Sequence, residues 1–332
     1  FSFEDNWKGS WKPYRNDLPM AEQDDMYKPL KIYPEYHSQK EKAFLDVVIP
    51  PDTSGDKSVS IALDTLVNHP NTAPFIARQL IQRFTASDPD PAYVRRVARA
   101  FKKGHFTAQN GEVFGKGEYS DLEATIAAIL LDESIHGDID SMPAISGKVR
   151  EPILRFVHWG RAFDIDHVDS NEVLDLNDAN DLSDRLGQHP LRAHSVFNFY
   201  RPGFVAPGTE SGEMGVTAPE LQLSNESTAL GYANFMTEFV FNQVKPIYAD
   251  EGTPLFVSDY SGAGAIAHDI DALMDRLDLL LTAKRMTDEE RKRIGELVSQ
   301  IDLSGDEKAN RLLRVKLAVY LIVTGATYAV AE

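Results

Sequence analysis

From about Ser58 onward, apolar residues recur every three to four positions, the period of an amphipathic helix; before that point they do not. Residues 1–57 are rich in Trp, Tyr, Pro and Lys and predict an extended and turn-rich segment lying on a helical body, with one short strand around Phe44 to Ile49. Residues 58–332 predict a single α-helical domain, with a sub-boundary near residues 247–262. Its first clear stripe is Ile76, Leu80, Ile81 and Phe84, preceded by Asn71 or Thr72 as cap and by Pro74 in the first turn. A second is Val94, Val97, Ala98 and Phe101, opened by Asp90 and Pro91. A third, Leu122, Ile126, Ile129 and Leu130, is expected to face inward behind a capping box of Ser120 and Glu123. Helices are expected again at "REPILRFVHWGRAF" and through "APELQLSNESTALGYANFMTEFVFN", on either side of a long loop at 164–218. Three more follow: Ile266 to Leu281, one opened by a Thr287/Glu290 capping box, and one from about Glu307 to Ala329. The fold class is all-α: an irregular multi-helix array with long loops and an extended N-terminal segment, its last three helices forming a candidate bundle. No internal repeat interrupts it.

Composition narrows the partners. With 332 residues and 42% hydrophobic content the chain can bury a substantial core. Its 34 Lys and Arg stand against 51 Asp and Glu, a net charge of −17, which disfavours nucleic acid and anionic membrane surfaces. The absence of cysteine excludes disulfides, thiolate metal sites and a cysteine nucleophile. The longest apolar run, "LAVYLIVTGATYAV", falls short of the roughly 18 residues that span a bilayer and reads as a buried C-terminal helix. The start, "FSFEDNWKGSW", has neither a basic nor an apolar signal region and reads as a beginning in mid-protein.

Candidate chemistry is sparse. His69 and His37 are candidate ligands or bases, because imidazole titrates near physiological pH. No second histidine lies at metal-ligand spacing, so no metal site is assigned to them, and His69 is equally explained as part of a cap between helices. The acidic loop 164–184 can offer oxygen ligands to calcium, the one cofactor considered, but "DLNDANDLSD" lacks the glycine and terminal glutamate of an EF-hand. A solvated loop explains it as well. Glu220 and Glu226 are a candidate carboxylate pair for glycoside hydrolysis. On one continuous helix, however, they would point about 120° apart. Arg150, Arg155 and Arg161 admit an anion site, although acidic surroundings favour salt bridges fastening loop to helix. Nucleophile-elbow, P-loop and dinucleotide-binding patterns are absent; "GAGAIAH" lacks both the final glycine and the strand context. The loop "VFNFYRPGF" offers Phe197, Phe199, Tyr200 and Phe204 as an aromatic platform with Asn198 and Arg201 as polar tips, or else anchors itself into the core.

Several long phrases, in order, carry a resemblance: "LDTLVNHPNTAPFIARQLIQRF", "SDPDPAYVRRVARAF", "SDLEATIAAILLD", "VREPILRFVHWGRAF", "GQHPLRAHSVFNFYRPGF" and "APELQLSNESTALGYANFM". The chain resembles the bacterial family known as domain of unknown function 1800. The resemblance implies the C-terminal portion of an exported, periplasmic or extracellular protein. It departs where the family has His-Asp followed by Lys, since "HSQKEK" keeps His37 but not the acid. The expected function is binding or scaffolding toward a partner protein or a cell-envelope glycan. The alternative is a hydrolase of extracellular or envelope polymer using Glu220 or Glu226 with His69 or His37.

Overall fold

The computed structural model describes residues 3–6, 10–13, 31–135, 147–167, 185–189, 192–241 and 256–331, and structural statements below concern these. The chain divides into two units, Phe1–Thr72 and Ala73–Glu332. In the first, β1 (Phe3–Asn6) pairs antiparallel with β2 (Ser10–Pro13), and β3 (Lys42–Phe44) with β4 (Val47–Ile49). The single strand expected around Phe44 to Ile49 is therefore a hairpin. Its chain reverses at Leu45 and Asp46, both at positive φ, the backbone that a two-residue hairpin turn requires. Helix α1 (Gly55–Val67) follows, with the Ser54 hydroxyl accepting from the amide of Lys57.

The second unit opens with α2 (Thr72–Phe84), α3 (Pro91–Lys103) and α4 (Leu122–Leu130), the hairpin of β5 (Phe106–Thr107) and β6 (Val113–Phe114) lying between the last two. Ala77, Ile81, Tyr93, Val97, Phe101 and Ile129 form their shared core. Asp90 caps α3, and Gly104 ends it at φ +67, where a side chain would meet the backbone of Glu118. The expected capping box of α4 does not form: Ser120 sits at φ +68, and Asp121 caps by accepting from Ala124. The buried face of α4 is Ala124, Thr125, Ala127, Ala128 and Ile129, while Leu122, Ile126 and Leu130 are substantially exposed. Small residues win the inner face because α3 packs directly on it.

A larger core joins α5 (Pro152–Ala162) to the C-terminal helices, with α6 (Glu210–Glu213) on the connecting loop. Helix α7 (Glu226–Val240) carries Phe235 and Phe239 edge-on against Phe156 and Trp159 of α5, which stack on each other. After α8 (Ser261–Ile266), the helices α9 (Ile270–Leu277), α10 (Asp288–Ser299) and α11 (Glu307–Val323) pack on one another, as the expected bundle requires. The Thr287/Glu290 capping box forms at α10. The expected helix from Ile266 is instead α8 and α9, separated by Asp269 as a new cap and extended by a π turn at Asp278–Thr282. The last helix also breaks: α11 ends at Val323, Gly325 turns extended, and α12 (Ala326–Ala329) follows. That break matters for the site. Of the remaining strands β7 (Lys148–Val149), β8 (Asp166–His167), β9 (Phe256–Val257) and β10 (Val330–Ala331), β7 pairs with β10 and β8 with β9. The fold is thus mainly helical, with short strand pairs too brief to leave a period in the sequence. No described helix is long and apolar enough to cross a membrane.

Gly104→Ala is expected to cost about 2 kcal/mol or more, because it adds left-handed strain to a backbone clash; chemical denaturation measures it. A second expectation concerns pH. Burial raises the phenol pKa of Tyr232, Tyr260 and Tyr328, and raises that of Tyr93 to about 12. Below pH of about 10 both folded and unfolded states keep these protons; above it, only the unfolded chain releases them. Stability should fall as pH rises beyond about 10, by up to roughly 1.4 kcal/mol per pH unit for each such tyrosine, as read by denaturation at a series of alkaline pH values.

Candidate functional site

Four segments distant in sequence meet in the second unit. The C-terminal end of α2 brings Gln82 and Arg83, and the turn after it Ser87. Strand β7, held by β10, presents Lys148, and Glu151 occupies the N-cap position of α5. The loop at 192–204 brings Asn198 and Tyr200. A 3-10 turn at Pro219–Leu223 brings Glu220.

Two ion pairs result, Lys148–Glu220 buried on both sides and Arg83–Glu151 with a buried carboxylate and a partly exposed guanidinium. Lys148, itself buried, donates from Nζ to Glu220 Oε1 at 2.5 Å and to the carbonyl of Gln82 at 2.9 Å. The other carboxylate oxygen, Oε2, accepts from the Ser87 hydroxyl at 2.9 Å. Glu220 is only 1% exposed, so without these partners its charge would be strongly disfavoured. Beside it, Glu151 Oε1 accepts from Arg83 and from the Tyr200 hydroxyl, the latter at 2.8 Å. Its Oε2 accepts from Gln188 at 2.5 Å and from Asn198 at 3.4 Å. Gln188 is held in turn by the amide of Ile153, in the first turn of α5. Tyr200 also accepts from Arg83 at 2.7 Å. Burial first, and then the charge of Glu151, raise the pKa of its phenol well above the ordinary tyrosine value, so it is a neutral donor. Gln82 bridges the two halves by donating to the carbonyls of Ser87 and Pro202, both at 2.9 Å.

Chemically this arrangement is a clamp. All four carboxylate oxygens already accept from a cation, hydroxyl or amide, and each acid has its own cation. The clamp fixes the root of the 192–204 loop and leaves its tip outside. Val196 is 95% exposed and Phe197 43%, with the ring of Phe197 edge-on to Phe75 at 6.3 Å. Asn198 turns the chain at φ +71, donating its amide to the carbonyl of Ser195. The ring of Phe199 lies edge-on to His194 at 5.7 Å. Arg201 is exposed, its amide bonded to the side chain of Gln222.

The sequence candidates therefore separate. Asn198, Tyr200 and Glu220 come together, whereas Glu226 is exposed at the start of α7. The continuous helix assumed for the two glutamates is absent: the 3-10 turn ends at Leu223 and Asn225 opens α7 in a capping box with Thr228. His69 lies in the turn after α1, its Nδ1 accepting from the Asn71 amide at 3.2 Å. His37 follows the 3-10 turn Pro34–Tyr36, and its buried Nδ1 has no hydrogen-bond partner among the described residues. Both histidines belong to the first unit. Of the acidic loop, Asp164 and Asp166 are described, while residues 168–184 lie outside the described residues. Among the described residues no three His, Asp or Glu side chains gather as a metal site.

Among the described residues, the salt bridge expected at the start of α5 is made by Glu151, with Arg83 as its partner. Arg150 donates to the carbonyl of Tyr328, and Arg155 lies over the ring of Tyr232. Lys148, Gln82, Ser87 and Gln188 escaped the sequence reading. Their only signal is position, polar residues at the ends of apolar segments, which is also how solvated ends look.

Removing one partner of the Lys148–Glu220 pair strands a buried charge, so Lys148→Met or Glu220→Gln alone should cost about 3–5 kcal/mol. Lys148→Met combined with Glu220→Leu should cost clearly less than the sum, a coupling read by urea denaturation of the double-mutant cycle.

No curated protein and no solved structure matches the chain. The match that exists is to a family, it covers residues 15–330, and it includes every residue of the clamp. The chain belongs to the family described as protein of unknown function, DUF1800.

Proposed function

We propose that this protein is a binding module whose loop at 192–204 captures a partner protein, in an exported bacterial protein acting in the periplasm or outside the cell. The observation that carries this reading is the contrast within one loop: a root held by Glu151, Gln82 and Gln222, and a tip that leaves Val196 and Phe197 in water beside Phe75. Exposed apolar residues on a pre-ordered support lose little conformational entropy on binding. Val196 favours a protein surface over a glycan, because an aliphatic side chain offers a sugar neither an aromatic face nor a hydrogen bond. The compartment rests on the family resemblance. A hydrolase built on Glu220 draws no support from its surroundings, since a general acid must exchange its proton with substrate or water and Glu220 is committed to Lys148 and Ser87.

The test pairs tip variants with a distant control. Val196→Asp and Phe197→Ala should reduce capture of partner from a cell-envelope extract at least tenfold while leaving the melting temperature within about 2 °C. Leu230→Asp, at another highly exposed apolar position, should leave capture intact. Equal capture by the tip variants and the native protein would sink the proposal, and binding to purified envelope glycan alone would move it to a glycan. Tyr200→Phe is expected to lower stability, because it removes a buried donor from Glu151.

A further inference from the structure

A second feature of α5 is independent of the loop. Arg155 places its guanidinium carbon 4.1 Å from the ring centroid of Tyr232, and Arg150 lies 5.4 Å from the ring of Tyr328. Such stacking covers one face of a guanidinium and leaves its edge free. Arg150 spends one nitrogen on the carbonyl of Tyr328, at 3.0 Å. Among the described residues Arg155 makes no side-chain hydrogen bond or ion pair, and its Nε is one of the few buried side-chain polar atoms there without a partner. Half-burying a cation in this way is costly unless an anion compensates.

No anion among the described residues does so. Among the described residues, the ionisable groups acting on Arg150 and Arg155 are Tyr232, Tyr328 and a third cation, Arg285. The tyrosines are neutral, their hydroxyls donating to the carbonyls of Val323 and Arg155. His158, 3.1 Å from the Tyr328 hydroxyl, is pushed toward the neutral form by burial and by Arg150 and Arg161. Arg285 is turned to the carbonyls of Thr282 and Val330. The carboxylate nearest in sequence, Glu151, is taken by Arg83, Tyr200, Gln188 and Asn198. In a chain where 51 acids outnumber 34 bases, an all-cation cluster is against expectation.

We propose that Arg155, flanked by Arg150, binds the oxyanion of a small ligand, a carboxylate or a phosphoryl group, that enters in the plane of the guanidinium on the side not covered by Tyr232. The fork of Nη1 and Nη2 donates to two oxygens at once, a pair that a carboxylate and a phosphoryl group each offer and chloride lacks.

Calorimetric titration and thermal shift of the full chain, in chloride buffer of constant ionic strength, with acetate in one arm and inorganic phosphate in the other, test this. Saturable binding of either oxyanion is expected, together with a rise in melting temperature, and the responding arm names the ligand group. Arg155→Met and Arg155→Lys should each weaken binding at least tenfold, since lysine keeps the charge but loses the fork. Arg161→Met, at an exposed position on the same helix, should bind as the native chain does. If Arg155→Met does not fold, Arg155→Lys carries the comparison. A native chain that binds neither anion, or an Arg155→Lys chain that binds as tightly as the native one, overturns the proposal.

Discussion

The pairing of Glu151 with Arg83 and of Glu220 with Lys148 is the interaction on which the second unit's long loop depends. Loops need their backbone polar groups satisfied, and this one crosses a helical surface that supplies few ladders to join. Side chains supply two of these partners, Gln82 reaching the carbonyl of Pro202 and Gln222 receiving the amide of Arg201, while the side chains of Asn198 and Tyr200 tie the loop to Glu151. Lys148, Glu151 and Glu220 are each expensive to bury alone. Together, with every carboxylate oxygen occupied, they are tolerated, and the geometry that satisfies them admits a single placement of the loop root.

The clamp also explains the break near the C-terminus. Lys148 sits on β7, and β7 exists because β10 pairs with it. A final helix running unbroken through Gly325 would leave no strand to meet Val149. The turn at Thr324 and Gly325 thus serves a site far away in sequence, and it carries Tyr328 back to α5, where it lines the arginine cluster. Two charged environments of opposite character therefore share one helix start. On one side Glu151 is fully compensated. On the other, among the described residues, Arg150 and Arg155 meet aromatic rings and a carbonyl.

Much of the helical framework was legible because its causes are local. Asp90 before Pro91, Thr287 before Glu290 and the apolar spacing of Val97, Ala98 and Phe101 each act within one or two turns. The failures are equally instructive. Ser120 lost its cap to Asp121, because two capping residues stood side by side and only the tertiary path chose between them. Leu122, Ile126 and Leu130 repeat at helical spacing yet face outward, because the neighbour that decides burial is α3 and not the period of α4. In the aromatic loop the pattern left its residues undivided: Tyr200 is buried against Glu151, while Phe197 is exposed.

By itself the sequence determined a mainly helical, cysteine-free, acidic chain, the places where most helices start, and membership of a family through long ordered phrases. These follow from nearest-neighbour chemistry and composition. Only the tertiary structure decided which charges would be buried, which would be paired and which would be left alone. Lys148 and Glu220 lie far apart along the chain, as do Arg83 and Glu151, and nothing local distinguishes them from solvated residues. The cost of an unpaired buried charge arises only when water is removed, and the packing of distant segments removes it.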